Sequence, residues 1–282
     1  MLRTISLLAA ALLTIALHAE EKPVTPVYGW SHSLNTQLTL TQTGYTDWAQ
    51  GGENSLAYAF TLDGKETNDL EKTNWTTAYK FAFGEARLGG KAMRKTDDAI
   101  FLESILTYKV GTVINPYASV SFKSQFALGN TYANDGTATP VSRFFDPAFL
   151  TQGVGVGYQP INEVKTRLGL AMREVFTSQF NQYADDPATP QIEKSKSDGG
   201  FQLGVDVKWN LDDNLLWTSK LDIFDAMRKL DVLIVYWDNT FAAKISKIIS
   251  VNFCVNIINE RAITPRTQIK EALGLAIGYS FF

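Results

Sequence analysis

Alternation with a period of two residues is the feature that most constrains how this chain can fold. Between Ala272 and Phe281, large apolar side chains at odd positions alternate with small or polar ones at even positions. A helix would scatter these residues around its axis, whereas successive side chains of a strand point to opposite faces. The segment is therefore predicted to be a β-strand with one apolar face and one face that tolerates water.

The same alternation recurs along the chain and predicts twelve strands. Most of them have ten or more residues, whereas strands of soluble sandwiches average about five or six. Ten residues tilted by about 40° cover roughly the 25 Å apolar band of an outer-membrane barrel. The predicted strands are 31–44, 54–63, 73–84, 98–110, 115–126, 147–158, 163–174, 200–211, 215–225, 230–244, 249–259 and 267–281.

A membrane-spanning helix is not expected, because no stretch after residue 19 offers about 18 to 20 consecutive apolar residues. A membrane location then requires a closed barrel, the other architecture that satisfies all its backbone hydrogen bonds in lipid. The expected fold is all-β, a transmembrane antiparallel up-and-down β-barrel of about twelve strands.

The N-terminus has the pattern of a cleavable targeting signal. Arg3 supplies a positive charge, an apolar run follows from Ile5 to Leu17, and Ala19 is a suitable residue before the cleavage site. The alternative is an uncleaved anchor, for which the apolar run is short. We expect a signal peptide at 1–19, a periplasmic extension at 20–30 and an outer-membrane barrel of a Gram-negative bacterium at 31–282.

The connections between predicted strands tend to alternate between short and long. The short ones are 111–115, 159–163, 211–214 and 246–248, and the long polar ones are 127–146 and 175–199. Outer-membrane barrels have short periplasmic turns and longer outer loops, so the short connections are assigned to the periplasmic side. Two connections fit poorly, since 64–72 is long for a turn and 226–229 is short for an outer loop.

Charged residues within the strands are expected to face the lumen. A Lys or Arg that faces lipid at mid-membrane costs about 2–4 kcal/mol. The charged positions share the parity of the small and polar residues, and both signs occur, so that pairs could form across the lumen. The lumen-lining candidates are Lys80, Arg167, Arg173, Asp206, Lys208, Lys220 and Asp222.

The segment from Gln42 to Ser55 reads Gln-Thr-Gly-Tyr-Thr-Asp-Trp-Ala-Gln-Gly-Gly-Glu-Asn-Ser. It resembles the opening signature of domain-of-unknown-function family 3078, whose members look like bacterial outer-membrane barrels. Further similar elements lie at 93–98, 122–126 and 274–281, so the resemblance extends over nearly the whole mature chain. It implies a barrel and no particular biochemical activity.

The signature turn, made of Trp48, Gly51, Gly52 and Asn54, has two interpretations. It could be a ligand-facing loop, or the glycines could form the hairpin turn with Trp48 in the interfacial aromatic belt, which we favour. The chain ending also resembles the signal read by the barrel-assembly machinery. The residues assigned to that signal are Tyr79, Phe281 and Phe282.

Few residues suit catalysis or metal binding. His32 is the only histidine after the signal peptide, and no partner set for a Ser-His-Asp site stands near it. Cys254 is expected to face inward, and the adjacent pair Asp97 and Asp98 is interpreted as a solvated turn. We expect no enzyme activity, cofactor or metal site, although calcium binding by the outer loops stays open.

Three functions follow from this reading. The first is a channel or porin-like barrel for small solutes, and the second is a non-conducting structural or adhesion barrel with partner-binding loops. The third, a membrane-embedded lipid hydrolase or acyltransferase, is disfavoured by the histidine count. Outer-membrane lipid and the assembly machinery are the expected partners. Nucleic acid is not expected, because 26 basic and 29 acidic residues nearly balance. A soluble lipid-binding barrel is the competing fold.

Overall fold

The computed structural model describes residues 28–47, 49–228, 233–261 and 264–281. Within them, twelve strands form one closed antiparallel barrel, as predicted, and two short strands form a separate hairpin. Among the described residues, no helix is long and apolar enough to cross a membrane. The strands are β1 Gly29–Thr43, β2 Ser55–Asp69, β3 Thr73–Leu88, β4 Arg94–Tyr108, β5 Ile114–Ser124, β6 Gly129–Tyr132, β7 Ala138–Ser142, β8 Ala148–Ile161, β9 Val164–Phe176, β10 Ser195–Asp212, β11 Leu215–Ala226, β12 Leu233–Lys244, β13 Ile249–Asn259 and β14 Gln268–Ser280.

The barrel closes where the first strand meets the last. β14 pairs with β13 on one side and with β1 on the other, with Asn35 opposite Ser280 and Leu40 opposite Leu275. The seam continues past the strand end, since the Phe281 N–H donates to the Leu34 carbonyl at 2.9 Å. Each barrel strand therefore has two neighbours, and no edge is left for another chain to pair with.

The alternation seen in the sequence is the alternation between the outside and the inside of the barrel. On β14, Leu273 is 65% exposed on the outer surface, whereas Ala276 on the inner face is fully buried. Large apolar residues are exposed in the same way on most other barrel strands, including Phe60, Leu102, Val154 and Leu170. Such a continuous apolar surface is unfavourable in water and favourable against hydrocarbon.

The two ends of the barrel differ in the length of their connections. One end, called here the turn end, has the connections 70–72, 109–113, 162–163, 213–214 and 245–248. The other, called the loop end, has 44–54, 89–93, 125–147, 177–194, 227–232 and 260–267. The predicted connection 64–72 is wrong in length. β2 continues to Asp69 in register with β1, which leaves a three-residue turn at 70–72. The other poorly fitting connection, 226–229, lies partly outside the described residues.

The long loops have more structure than their composition suggests. Connection 125–147, predicted to be an irregular loop, contains the β6–β7 hairpin, in which Thr131 lies opposite Thr139. Connection 177–194 contains a short 3-10 turn at Asn181–Tyr183. The prediction of a solvated turn at Asp97 and Asp98 is wrong, since both residues lie within β4. Strands of four or five residues are too short for their alternation to be distinguished from chance.

Two glycines that lie opposite each other leave part of the inner barrel wall without side chains. Gly155 and Gly169 lie opposite each other on β8 and β9, and Tyr117 lies opposite Gly155 on β5. A Cβ on Gly169 would lie 2.2 Å from the Val154 carbonyl oxygen and 2.9 Å from the Tyr117 hydroxyl. Tyr117 is buried, and its hydroxyl takes part of the space that a Gly169 side chain would need. A Cβ on Gly155 would instead lie 2.2 Å from the Leu168 carbonyl oxygen.

Candidate functional site: the charged lumen

Strand pairing places all seven lumen-lining candidates on the inner face of the barrel. Lys80 lies opposite Asp63, Asp206 lies opposite Lys165 and Lys220, and Asp222 lies opposite Tyr236. The remaining candidates, Arg167, Arg173 and Lys208, share the inner parity of β9 and β10. The charges are not distributed evenly, because some meet in clusters while others stay apart in water.

Four charged side chains meet in the middle of the lumen. The Lys220 ammonium lies 2.8 Å from a Glu103 carboxylate oxygen and 3.3 Å from an Asp206 oxygen. The Arg167 guanidinium lies 3.0 Å from Asp206 and 3.5 Å from Glu103. Two cations and two anions thus alternate around one ring of contacts. We call Glu103, Arg167, Asp206 and Lys220 the central cluster.

The central cluster crosses the lumen. Glu103 lies on β4, and Lys220 lies on β11, five positions away around a twelve-stranded barrel and near the opposite wall. The Glu103–Lys220 ion pair therefore spans the interior and is not a contact between neighbouring strands. We call this pair the chord. An ion pair with little access to water is also more rigid than a surface pair, because its partners cannot exchange easily for solvent. The cluster therefore bridges the interior of the barrel.

Glu103 was not among the candidates derived from the sequence. It stands in the run Ala99 to Glu103, where inward-facing Phe101 interrupts the simple pattern of apolar residues outside and polar residues inside. Its parity places it inward once the β3–β4 register is known, with Ala78 opposite. No local signal indicates its partners, since they come from strands more than sixty residues later in the chain.

A second ion pair closes the interior towards the loop end. The Arg173 guanidinium lies 2.7 Å from a Glu260 carboxylate oxygen, and the Tyr236 hydroxyl donates to the other oxygen. Glu260 follows β13 and is only 2% exposed, although it belongs to a loop. Arg173 also stacks over the Phe149 ring, with 4.8 Å between its guanidinium carbon and the ring centre. We call Arg173, Tyr236 and Glu260 the outer cluster.

A cavity of about 50 Å³ lies in this half of the lumen, and Arg173 and Tyr236 line it together with Lys123 and Asp222. The Lys123 ammonium lies 4.2 Å from the centre of the Tyr236 ring and 3.8 Å from an Asp222 oxygen. The volume is enough for a few water molecules in polar surroundings. The wall also contains the Gln202 side-chain oxygen, which is buried and has no hydrogen-bond partner among the described residues.

The turn-end half of the lumen is wetter and more basic. The inward side chains of Asp63, Lys65, Lys80, Lys165 and Lys208 are all exposed. Within the described part of the chain, none of these four lysines has a carboxylate oxygen within 4.0 Å. Lys65 and Lys165 were also absent from the candidates. Lys65 was missed because β2 was predicted to end at residue 63.

The signature turn has a structural role in the described residues. The Asn54 side-chain oxygen accepts the Tyr45 N–H at 2.6 Å, which closes the 44–54 loop. Gly52 has φ +143° and lies against the Tyr45 ring, where a Cβ would come within 2.6 Å, so both conformation and space require glycine. Gly51 also has a positive φ of +80°. Trp48 lies outside the described residues.

The C-terminal residues continue the outer face of β14. Phe281 is exposed there and packs edge-on against Tyr279, with ring centres 4.9 Å apart. Tyr79 lies in β3 and packs near Phe81, so it cannot belong to a C-terminal signal, and the assignment of Tyr79 is corrected to Tyr279. Phe282 lies outside the described residues, as do the signal peptide and most of the N-terminal extension.

The remaining reactive residues lie apart from the lumen clusters or are engaged elsewhere. His32 is on the outer surface at the turn end, where it stacks on Trp30 and pairs with Glu66. Cys254 has the inner parity and accepts a hydrogen bond from the Thr240 hydroxyl at 3.6 Å. In the described ranges, no three His, Cys, Asp or Glu side chains come close enough to hold a metal ion.

A family model described as "Protein of unknown function (DUF3078)" matches residues 40–130. The resemblance noted in the sequence is thus confirmed for this part of the chain, which contains the first three similar elements. The expected extension over the whole mature chain is not matched, since residues 274–281 lie outside. Curated proteins provide no match.

Several solved structures are similar at low sequence identity. The translocator domain of the autotransporter NalP from Neisseria meningitidis is 12% identical, with 98% of this chain and 95% of that chain covered and a TM-score of 0.38. An outer membrane channel from Pseudomonas putida F1 is 11% identical, with coverages of 94% and 98% and a TM-score of 0.40. The NanC porin is 8% identical, with coverages of 88% and 98% and a TM-score of 0.38.

Proposed function

We propose that this protein is an outer-membrane channel for small charged solutes, with the central cluster as its constriction. The observation that carries the proposal is the combination of water-exposed inward charges with one cross-lumen cluster of side chains. An apolar exterior around a charged interior is the reverse of a soluble protein, and it suits a barrel surrounded by lipid. Because outer-membrane barrels have short periplasmic turns and longer outer loops, the proposal has the turn end facing the periplasm and the loop end facing the outside of the cell.

The constriction is built from side chains alone. Glu103 and Lys220 reach into the lumen from opposite walls, and in the described residues no helix or strand runs through the barrel. A solute that offers its own charge can compete with such a pair, because each partner can exchange one counter-charge for another. Rings of charged side chains set selectivity in other channels by the same physics.

A non-conducting barrel is the second candidate, and a specific observation favours it. Both the central and the outer cluster bridge the interior, and Glu260 and Asp146 are almost completely buried at the loop end. A lumen closed twice by ion pairs could serve to stiffen the barrel, leaving the outer loops to bind partners. The two candidates differ in whether ions cross the membrane.

Single-channel recording in planar bilayers distinguishes them. We expect the purified full chain to give small, discrete conductance steps. The double variant Glu103→Ala/Lys220→Ala removes the chord across the lumen and should raise the conductance several-fold. His32→Ala/Glu66→Ala is the matched control, because it removes a hydrogen-bonded side-chain pair from the outer surface and should leave the conductance unchanged.

The channel proposal fails if neither the natural protein nor Glu103→Ala/Lys220→Ala conducts while both are folded in the bilayer. Folding is checked by the faster electrophoretic migration of an unheated barrel compared with a heated one. Absence of current in both proteins would favour the non-conducting candidate.

A further inference from the structure

Three lysines face the lumen near the turn end. Lys65 stands four residues before the end of β2, Lys165 is the second residue of β9, and Lys208 stands four residues before the end of β10. Each side chain is exposed to the water of the lumen. Their strand positions therefore place the three lysines in the turn-end half of the lumen, with Lys165 opposite Asp206 of the central cluster.

These lysines come from opposite walls. β10 lies six positions from β2 around the twelve-stranded barrel, and β9 lies five positions away. Lys65 nevertheless lies within electrostatic range of Lys165 and Lys208, and also of Asp206 and Lys220 of the central cluster. The three ammonium groups thus surround one region of the lumen.

The carboxylates around this region already have partners. Asp206 is held by Arg167 and Lys220 in the central cluster. Asp69 lies 2.8 Å from the Lys109 ammonium and accepts a hydrogen bond from Asn74 at 2.6 Å. Asp63 lies opposite Lys80 on the neighbouring strand, and the Lys80 charge balances it without a direct ion pair. Asp238 also faces this region and lies opposite Lys220. With Asp238 counted, the cationic side chains still outnumber the facing carboxylates, so the region carries an excess of positive charge.

From this convergence we infer that Lys65, Lys165 and Lys208 form a binding site for small phosphate- or carboxylate-bearing solutes. Like charges confined in a narrow space repel one another, and a mobile anion between them relieves the repulsion. Lysine suits the purpose because its ammonium is a flexible point charge with three donors, which adapts to anions of different shape. The inference rests on the proposed channel, for which it names the substrate class.

The site also gives the central cluster a function in transport. An anion at the three lysines lies next to Lys220, whose counter-charges are Glu103 and Asp206. By replacing one of these carboxylates at Lys220, the anion would open the chord without leaving any charge unpaired. Anion binding and the opening of the Glu103–Lys220 contact would then result from the same exchange of counter-charges at Lys220.

Equilibrium dialysis of the folded, detergent-solubilised full chain against inorganic phosphate tests the site directly. We expect Lys65→Gln/Lys165→Gln/Lys208→Gln to weaken phosphate binding by about tenfold or more. The matched control, Lys72→Gln/Lys194→Gln/Lys247→Gln, removes the same charge from exposed turns and a loop and should bind as the natural protein does. Equal affinity in the two triple variants would overturn the inference.

If the triple lumen variant does not fold, Lys208→Gln alone gives the same comparison against Lys247→Gln with a smaller expected loss. A bilayer measurement separates this inference from the channel proposal. Phosphate added at the turn end should reduce the chloride current of the natural protein and not that of the triple lumen variant. Current with identical phosphate sensitivity in both proteins overturns the site and leaves the channel. Absence of current in both proteins overturns the channel proposal. The dialysis comparison alone then tests the anion site.

Discussion

The carboxylate of Asp98 accepts the backbone N–H of Phe126 at 2.7 Å, which links β4 to the start of the long 125–147 connection. Its second oxygen accepts the Ala127 N–H at 2.8 Å and lies 2.6 Å from the Lys95 ammonium. Two of the elements that resemble the family, 93–98 and 122–126, therefore meet at one buried carboxylate. Their separation in the sequence gives no indication of this contact, which fixes where the 125–147 loop begins.

Replacing Asp98 with Asn should loosen that loop. The amide retains one acceptor oxygen and loses the charge that holds Lys95, at a cost of about 1–3 kcal/mol. Amide hydrogen exchange at residues 126–132 should accelerate. Asp97→Asn is the control, since the Asp97 carboxylate pairs with Lys270 at 2.9 Å instead. Equal acceleration in both variants would contradict the anchoring role of Asp98.

Asp146 is expected to join the two largest connections at the loop end, 125–147 and 177–194. It is 1% exposed and accepts the N–H groups of Ser178 and Gln179 at 3.0 and 2.7 Å. Asp146→Ala removes the acceptor of both N–H groups and so releases this end of the 177–194 connection, where protease cleavage should become faster. Asp135→Ala removes an exposed loop-tip carboxylate and should have no such effect. If cleavage in 177–194 is unchanged in Asp146→Ala, the loops are held together by other contacts.

The glycine pair in the wall should tolerate no side chain. Gly169→Ala places a methyl group against the Val154 carbonyl and should lower the free energy of unfolding by about 1–3 kcal/mol. Gly199→Ala is matched in chemistry, and its Cβ meets no atom within 4 Å. Urea unfolding in detergent, followed by gel migration, measures both. Comparable stabilities for the two variants would show that the β8–β9 backbone can move apart at no cost.

The outward and inward faces should respond oppositely to charge. Leu170→Lys puts an ammonium on the exposed apolar exterior of β9 and should cost about 2–4 kcal/mol in a bilayer. Asn256→Lys puts the same group on the inner face, where the Asn256 side chain already contacts Asp238 at 2.6 Å, and should be tolerated. Refolding yields in lipid vesicles give the comparison. A loss of the same size at both positions would count against a lipid-facing exterior.

The strands could be predicted because alternation is a local property that the two sides of a barrel wall impose on every residue. β14 is the clearest example, since its outer and inner residues can be assigned from the sequence alone. The turn-end part of β2, residues 64–69, could not be predicted, because Gly64, Asn68 and Asp69 are residues typical of turns. Pairing with β1 overrides that preference, and Lys65 enters the lumen as a result.

The central cluster shows the other limit. The inward position of Lys220 and Asp206 follows from parity, but their partner Glu103 lies on a distant strand. Which residues meet across the lumen depends on the strand order, the stagger and the diameter of the barrel together. None of these quantities is a property of a short segment. The residues of the lumen could thus be proposed from the sequence, whereas their pairing could not.

The seam between β1 and β14 joins the two ends of the barrel sequence, so no shorter set of these strands can pair all of its members. Until β14 arrives, β1 presents a row of unsatisfied backbone donors and acceptors, each costing several kcal/mol in hydrocarbon. Insertion strand by strand into bare lipid is therefore disfavoured. During insertion, the unpaired edge of β1 has to stay hydrated or pair with a temporary partner strand. β14 replaces that partner when the barrel closes.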